Sequence, residues 1–281
     1  MQPQMRQYLD LVHRGKNDWW RYALSTAVIL CSWLGLGWMP YAWLSGRGLL
    51  LEFVAINFSI IVMFAGLAVT VKLIHRRPLT TLITGAGRIA WARITRAALV
   101  WAAIGLATAT VEHLLYPGRY YLSFSAERFF PFAMVALVLT PLQTATEELV
   151  FRGYVMQGLG LIVKAPAVIA VLSAALFALP HLFNPEVQQH GAALLGTCYF
   201  VIGLLLAAIT LRDGRLELAM GVHAANNLLL VLVANYEGSV LESESIFTAR
   251  ELDPAFSLIT LTIGALLFYG WLFGRRRAVA A

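Results

Sequence analysis

The stretch EELVFR at residues 147–152 follows directly on the apolar run FFPFAMVALVLTPLQTAT at 129–146, and its reading decides the fold. A charge at bilayer depth is costly, so an acid placed there is by default a functional-site residue. The alternative is a helix end at the interface, where acids simply meet water. Two adjacent acids fit that alternative poorly. On a helix, Glu148 and Arg152 stand four residues apart and can pair on one face. Glu147 then points about 100° away and is free for chemistry. Structural pairing of both acids with arginines is the competing reading.

Working outward, the chain is 59% hydrophobic and 13% charged, with a mean hydropathy of +0.72. Soluble domains average about 25% charged, so the composition implies a polytopic membrane protein. The net charge of +6 does not imply nucleic acid, because the basic residues fall in short loops between apolar runs. Cys31 and Cys198 both lie inside apolar segments and are expected to act as small buried hydrophobes rather than a disulfide or metal clip. No cleavable signal peptide is expected: the first apolar run is too long and a polar tail precedes it.

Eight apolar segments, at 22–44, 50–73, 95–115, 129–146, 166–183, 191–211, 216–236 and 255–273, are each near the ~20 residues that span a bilayer as a helix. The fourth is expected to run on as helix to about Gly158. The predicted fold is therefore all-α, a membrane helical bundle of about eight transmembrane helices. Its expected divisions are a cytoplasmic tail at 1–21, N-terminal membrane helices at 22–128, a catalytic core at 129–236, and an outer loop, last helix and basic tail at 237–281. Seventeen of the 21 basic residues then lie inside, including Arg275, Arg276 and Arg277, which puts both termini in the cytoplasm. The expected location is the cell's inner (plasma) membrane. The loop at 76–93 is expected along the inner interface, and the acidic outer loop Glu237–Asp253 solvated and bland.

Further polar groups interrupt the apolar runs. Phe177 and His181 close the fifth segment; a histidine at a span end is often just interfacial. If the hairpin turns near Lys164, however, Glu147 and His181 are each seventeen residues from the turn and reach similar depth. A Glu and a His facing each other can hold and deprotonate one water. In the seventh segment, His223 and Asn227 share a face and offer two donors, with interhelical packing as the alternative. Glu112 and His113 read as interfacial. Together these are parts for hydrolysing an amide: Glu147 with His181 activates water, and His223 with Asn227 stabilises the oxyanion. Zinc stays open, because Glu147, His181 and His223 supply three nitrogen or oxygen ligands, although H-E-x-x-H is absent.

At these residues the chain resembles the CPBP intramembrane proteases, which include the CAAX prenyl endopeptidases and the bacteriocin-processing and immunity proteins. That family carries E-E-x-x-x-R, F-x-x-x-H and H-x-x-x-N in this order on successive helices. Here the blocks are Glu147, Glu148 and Arg152; Phe177 and His181; His223 and Asn227. The resemblance implies a glutamate-type protease without a serine nucleophile and with no required cofactor, although the family was once described as metal-dependent. It implies Glu147 as general base, His181 as second holder of the water, and His223 and Asn227 as oxyanion donors. Glu148, Arg152 and Phe177 would support them. The implied partners are the lipid bilayer and a membrane-anchored or exported peptide or protein. A non-catalytic immunity or peptide-binding protein uses the same polar cavity in the alternative reading. A proton-coupled transporter fits less well, since no inverted repeat is present.

Overall fold

The computed structural model describes residues 3–274. Among them are ten helices: α1 (Pro3–Leu9), α2 (Trp19–Leu44), α3 (Leu49–Ile74), α4 (Trp91–Leu115), α5 (Ala126–Ile162), α6 (Pro166–His181), α7 (Pro185–His190), α8 (Ala192–Asp213), α9 (Glu217–Val233) and α10 (Pro254–Phe273). Each of the eight predicted apolar segments is helical, and α5 does continue through the Glu-Glu-Arg stretch. Six helices are long and apolar enough to cross a membrane, whereas α6 and α9 are shorter. At 1.5 Å per residue these two reach about 25 Å, less than the ~30 Å hydrocarbon core. They carry His181 and His223; α9 is largely enclosed by its neighbours, whereas α6 leaves Val168, Val171, Leu176 and Leu179 exposed.

The inward faces of α3, α4, α5, α6, α8, α9 and α10 share one apolar core that includes Met63, Leu67, Trp101, Phe177, Leu206 and Phe268. The outward faces leave Leu99, Leu106, Met134, Leu137, Val138 and Leu266 exposed, as lipid contact requires. At Gly221 a Cβ would stand 2.2 Å from the Ile94 carbonyl oxygen. The missing side chain is what lets α9 lie directly against α4, two residues before His223.

Five expectations are corrected. The segment at 1–21 is not a free tail, because Tyr8, Leu9 and Leu11 pack against Met156, Ile169, Ala170, Ala207 and Leu211. The loop after α3 is drawn into the protein, with His75, Arg77, Thr81, Leu82, Ile83 and Thr84 buried. The outer loop is ordered by a three-stranded sheet in which β3 (Phe247–Ala249) lies between β1 (Tyr120–Leu122) and β2 (Ala234–Tyr236). Tyr120 pairs antiparallel with Ala249, and Ala234 pairs parallel with Phe247. The two cysteines are free, but Cys31 is exposed and Cys198 half-buried, so neither is a core hydrophobe. Glu112 does more than meet water: it accepts from Arg119 at 2.8 Å and Tyr120 at 2.7 Å, and Arg119 also pairs with Asp253. The basic triplet Arg275–Arg277 lies outside the described residues.

Candidate active site

Glu147 and Glu148 end the α-helical part of α5, and Leu149–Val155 continues it as π-helix. Wider turns of this kind often mark functional sites, because they re-aim side chains and loosen the backbone ladder. Here Met156 N–H reaches back to the Phe151 carbonyl, and Ser173 Oγ donates to the same oxygen at 3.1 Å. The Arg152 carbonyl accepts the Tyr8 hydroxyl at 3.1 Å. The π segment is therefore fixed from outside by α6 and by α1.

The expected ion pair forms, with Arg152 Nη1 2.7 Å from Glu148 Oε1 and both side chains wholly buried. Arg152 Nη2 donates to the Gly203 carbonyl on α8, and its guanidinium lies 4.2 Å from the Phe177 ring centroid. Glu148 Oε1 also accepts from His223 Nδ1 at 2.8 Å. His223 therefore presents its other nitrogen, Nε2, towards Glu147 Oε2 at 3.5 Å. That separation is too long for a good hydrogen bond.

Glu147 is held at one oxygen only. Its Oε1 accepts from Gln143 Nε2 at 2.7 Å, one turn earlier on α5. Its Oε2 is buried without a hydrogen-bond partner. Asn227 Nδ2 lies 3.4 Å from Gln143 Oε1, which links α9 to the acid through that amide. His223 and Asn227 thus share a face as their spacing predicts, but each is engaged by α5. Asn226, expected to face elsewhere, accepts from Trp101 Nε1 and donates to Asn227 Oδ1, both at 3.3 Å.

His181 joins the group less directly. Its Nδ1 donates to the Phe177 carbonyl at 2.8 Å, which leaves Nε2 as its free nitrogen. The Phe177 ring centroid is 4.7 Å from His181 and 5.7 Å from His223, so this phenyl packs beside both imidazoles. Among the described residues, no hydrogen bond joins His181 to Glu147. The structure brings together Glu147, Glu148, Arg152, His223 and, through Gln143, Asn227, with His181 beside Phe177, which also packs against His223.

Helix α9 begins inside the protein. Glu217 through Val222 are buried, and Leu216 N–H donates to the Ile83 carbonyl of the infolded loop at 2.9 Å.

Zinc does not fit the donors as arranged. His223 turns both nitrogens to carboxylates and His181 spends Nδ1 on a carbonyl. Among the described residues no three His, Cys, Asp or Glu side chains are grouped to hold a metal ion.

Sequence reasoning missed Gln143, although its position four residues before Glu147 was a usable signal. It also missed Tyr8, Gln157 and Tyr199, whose partners are distant in sequence. Gln157 accepts from Arg77 Nη1 at 2.6 Å and donates to the Thr81 carbonyl, and Tyr199 stacks on His181 with centroids 4.4 Å apart.

Comparison with known proteins bears on what this constellation is. The family model described as "Type II CAAX prenyl endopeptidase Rce1-like" matches residues 126–229, a range that contains all seven motif residues. Over 215 residues the chain is 31% identical to "Uncharacterized protein YyaK" of Bacillus subtilis (strain 168), covering 75% of this chain and 72% of that protein. No solved structure matches. An integral membrane helical bundle with this match is a peptide hydrolase of the membrane, and the chain belongs to the Rce1-like family of type II CAAX prenyl endopeptidases.

Proposed function

We propose that the protein is a glutamate-type intramembrane endopeptidase that cuts a membrane-associated or exported peptide or protein precursor in the cell's inner membrane. Glu147 is the general base. A water between Glu147 Oε2 and His181 Nε2 attacks the scissile carbonyl carbon and gives its proton to Glu147. The carbonyl oxygen becomes an oxyanion, which accepts from His223 Nε2–H and Asn227 Nδ2–H. Collapse of the tetrahedral intermediate breaks the C–N bond, and the leaving amine takes the proton back from Glu147. His181 holds the water through Nε2, its ring fixed by the Nδ1–H bond to Phe177. Glu148 fixes His223 in the orientation that exposes Nε2. With His223 protonated, Glu147, Glu148, Arg152 and His223 sum to zero charge, which lets four ionisable groups share a site without bulk water.

The observation that carries this reading is Glu147 Oε2, which faces His223 Nε2 at 3.5 Å and, like Glu148 Oε2, has no hydrogen-bond donor of its own. A buried carboxylate oxygen with no donor costs free energy unless a water or substrate group completes it. The test is cleavage of quenched peptides anchored in liposomes, one farnesylated and ending in a C-a-a-X sequence and one unprenylated. His223→Ala and Asn227→Ala should each lower kcat about 10²–10³-fold, and a chelator should leave the wild type unaffected. Wild-type rates in both variants would remove the oxyanion assignment. Loss with chelator, restored by zinc, would replace the mechanism.

A further inference from the structure

Glu186 opens α7, is 1% exposed, and has no role in the chemistry above. Its partners are all neutral. Oε1 accepts from the Tyr199 hydroxyl at 2.6 Å and from Asn184 Nδ2 at 3.1 Å, and Oε2 accepts from Val240 N–H at 3.2 Å. Asn184 Nδ2 also donates to the Tyr199 oxygen at 3.1 Å, so this hydroxyl is held from two sides. A buried carboxylate with no counter-charge is an expensive way to fix a phenol, and packing alone does not need one.

What Glu186 fixes is the face of Tyr199 turned to His181. The two rings stack at 4.4 Å between centroids with 31° between their planes. Phe177, one turn earlier on α6, lies 4.7 Å from His181. The imidazole therefore meets one aromatic ring from α6 and one from α8, and its one backbone bond, to Phe177, cannot by itself stop rotation about that bond. A misplacement of about 1 Å in a group that holds the attacking water can cost about 10²-fold in rate.

We propose that Tyr199, held by the buried carboxylate of Glu186, is a positioning residue for His181, and that Glu186 ties the outer loop at Val240 to this contact. The inference rests on the assignment of His181 to the water. It explains why an acid is buried beside Tyr199 with only neutral donors around it. It also explains why an outer loop expected to be bland is anchored there.

The test uses the full-length protein in liposomes, the two quenched peptides above, and ¹⁵N-histidine NMR of the same variants in detergent. Tyr199→Ala should lower kcat about 10–100-fold with KM within about twofold, and Tyr199→Phe, which keeps the ring, should recover most of that loss. Glu186→Ala should lower kcat in the same direction, and Glu186→Gln should recover it. In a His181→Ala background Tyr199→Ala should add nothing. The NMR signals assigned to His181 by its absence in His181→Ala should move in Tyr199→Ala and stay near wild type in Tyr199→Phe. Unchanged His181 signals in a folded Tyr199→Ala, or wild-type turnover in that variant while His181→Ala is inactive, would overturn the positioning role and leave the protease reading intact. Wild-type turnover in His181→Ala would instead sink the assignment of His181 itself.

Discussion

Arg152 and Glu147 are both buried in one cluster, yet removing each should have opposite kinds of consequence. Arg152 is satisfied at two nitrogens and stacked on Phe177, and Glu148 is its counter-charge. Truncating one partner leaves an uncompensated charge in the interior, which typically costs about 3–5 kcal/mol. Glu148→Ala should therefore lower the thermal midpoint strongly in a detergent melt, and Glu148→Gln less. Glu147 accepts only from the neutral Gln143 amide and makes no pair with Arg152, so Glu147→Gln should melt close to wild type. Gln143→Leu removes the donor to Glu147 Oε1 and should cost about 1–3 kcal/mol, with a fall in kcat larger than the change in KM. At this scale the four-residue spacings in the sequence made the Glu148–Arg152 pair and the shared face of His223 and Asn227 legible. The contact of His223 with Glu148 was not legible, because two residues 75 apart in sequence, on different helices, make it.

The elements show why the site is rigid. The π-helical segment Leu149–Val155 is braced by Tyr8, whose hydroxyl reaches both the Leu82 carbonyl at 2.7 Å and the Arg152 carbonyl. Nothing in residues 1–21 marks Tyr8 as buried; only its partners do. Tyr8→Phe should cost about 1–3 kcal/mol, and hydrogen exchange should rise in 149–155 before it rises elsewhere in α5. If exchange there is unchanged, the brace has no mechanical role. At α9 the close approach to α4 depends on Gly221. Gly221→Ala should cost about 1–3 kcal/mol or more and lower turnover, because His223 and Asn227 move with the helix. Hydropathy located the helices but not their depths, which is why the early start of α9 inside the protein had to come from the structure. The short strands of the outer sheet carried no hydrophobic alternation long enough to read.

For the whole molecule, the frame of long apolar helices was legible from composition and run length, and the infolding of the polar connections was not. His75 shows what that infolding does. Just past α3, its Nδ1–H donates to the Lys16 carbonyl at 2.8 Å, and its Nε2 accepts from the Tyr154 hydroxyl at 2.9 Å. Burial, opposed in part by the Lys16 bond and aided by the Arg77 charge, holds its pKa below the usual imidazole value. The neutral form is favoured in the folded state, so its stabilising contribution is present above about pH 6.5. That contribution is lost as pH falls through the lower folded value. The melting temperature should therefore decline as pH falls below about 6.5, with a flatter profile in His75→Gln; equal profiles would contradict the linkage. The charge bias of the loops predicts both termini on the cytoplasmic side, which reporter fusions at the two ends would check.

The central claim is that Glu147 takes the proton from the attacking water. The measurement that bears on it most directly is the cleavage rate of the liposome-anchored peptides by folded Glu147→Gln beside wild type. A loss of at least about 10²-fold, with an unchanged melting temperature, is the predicted result. Cleavage by Glu147→Gln at the wild-type rate would contradict it.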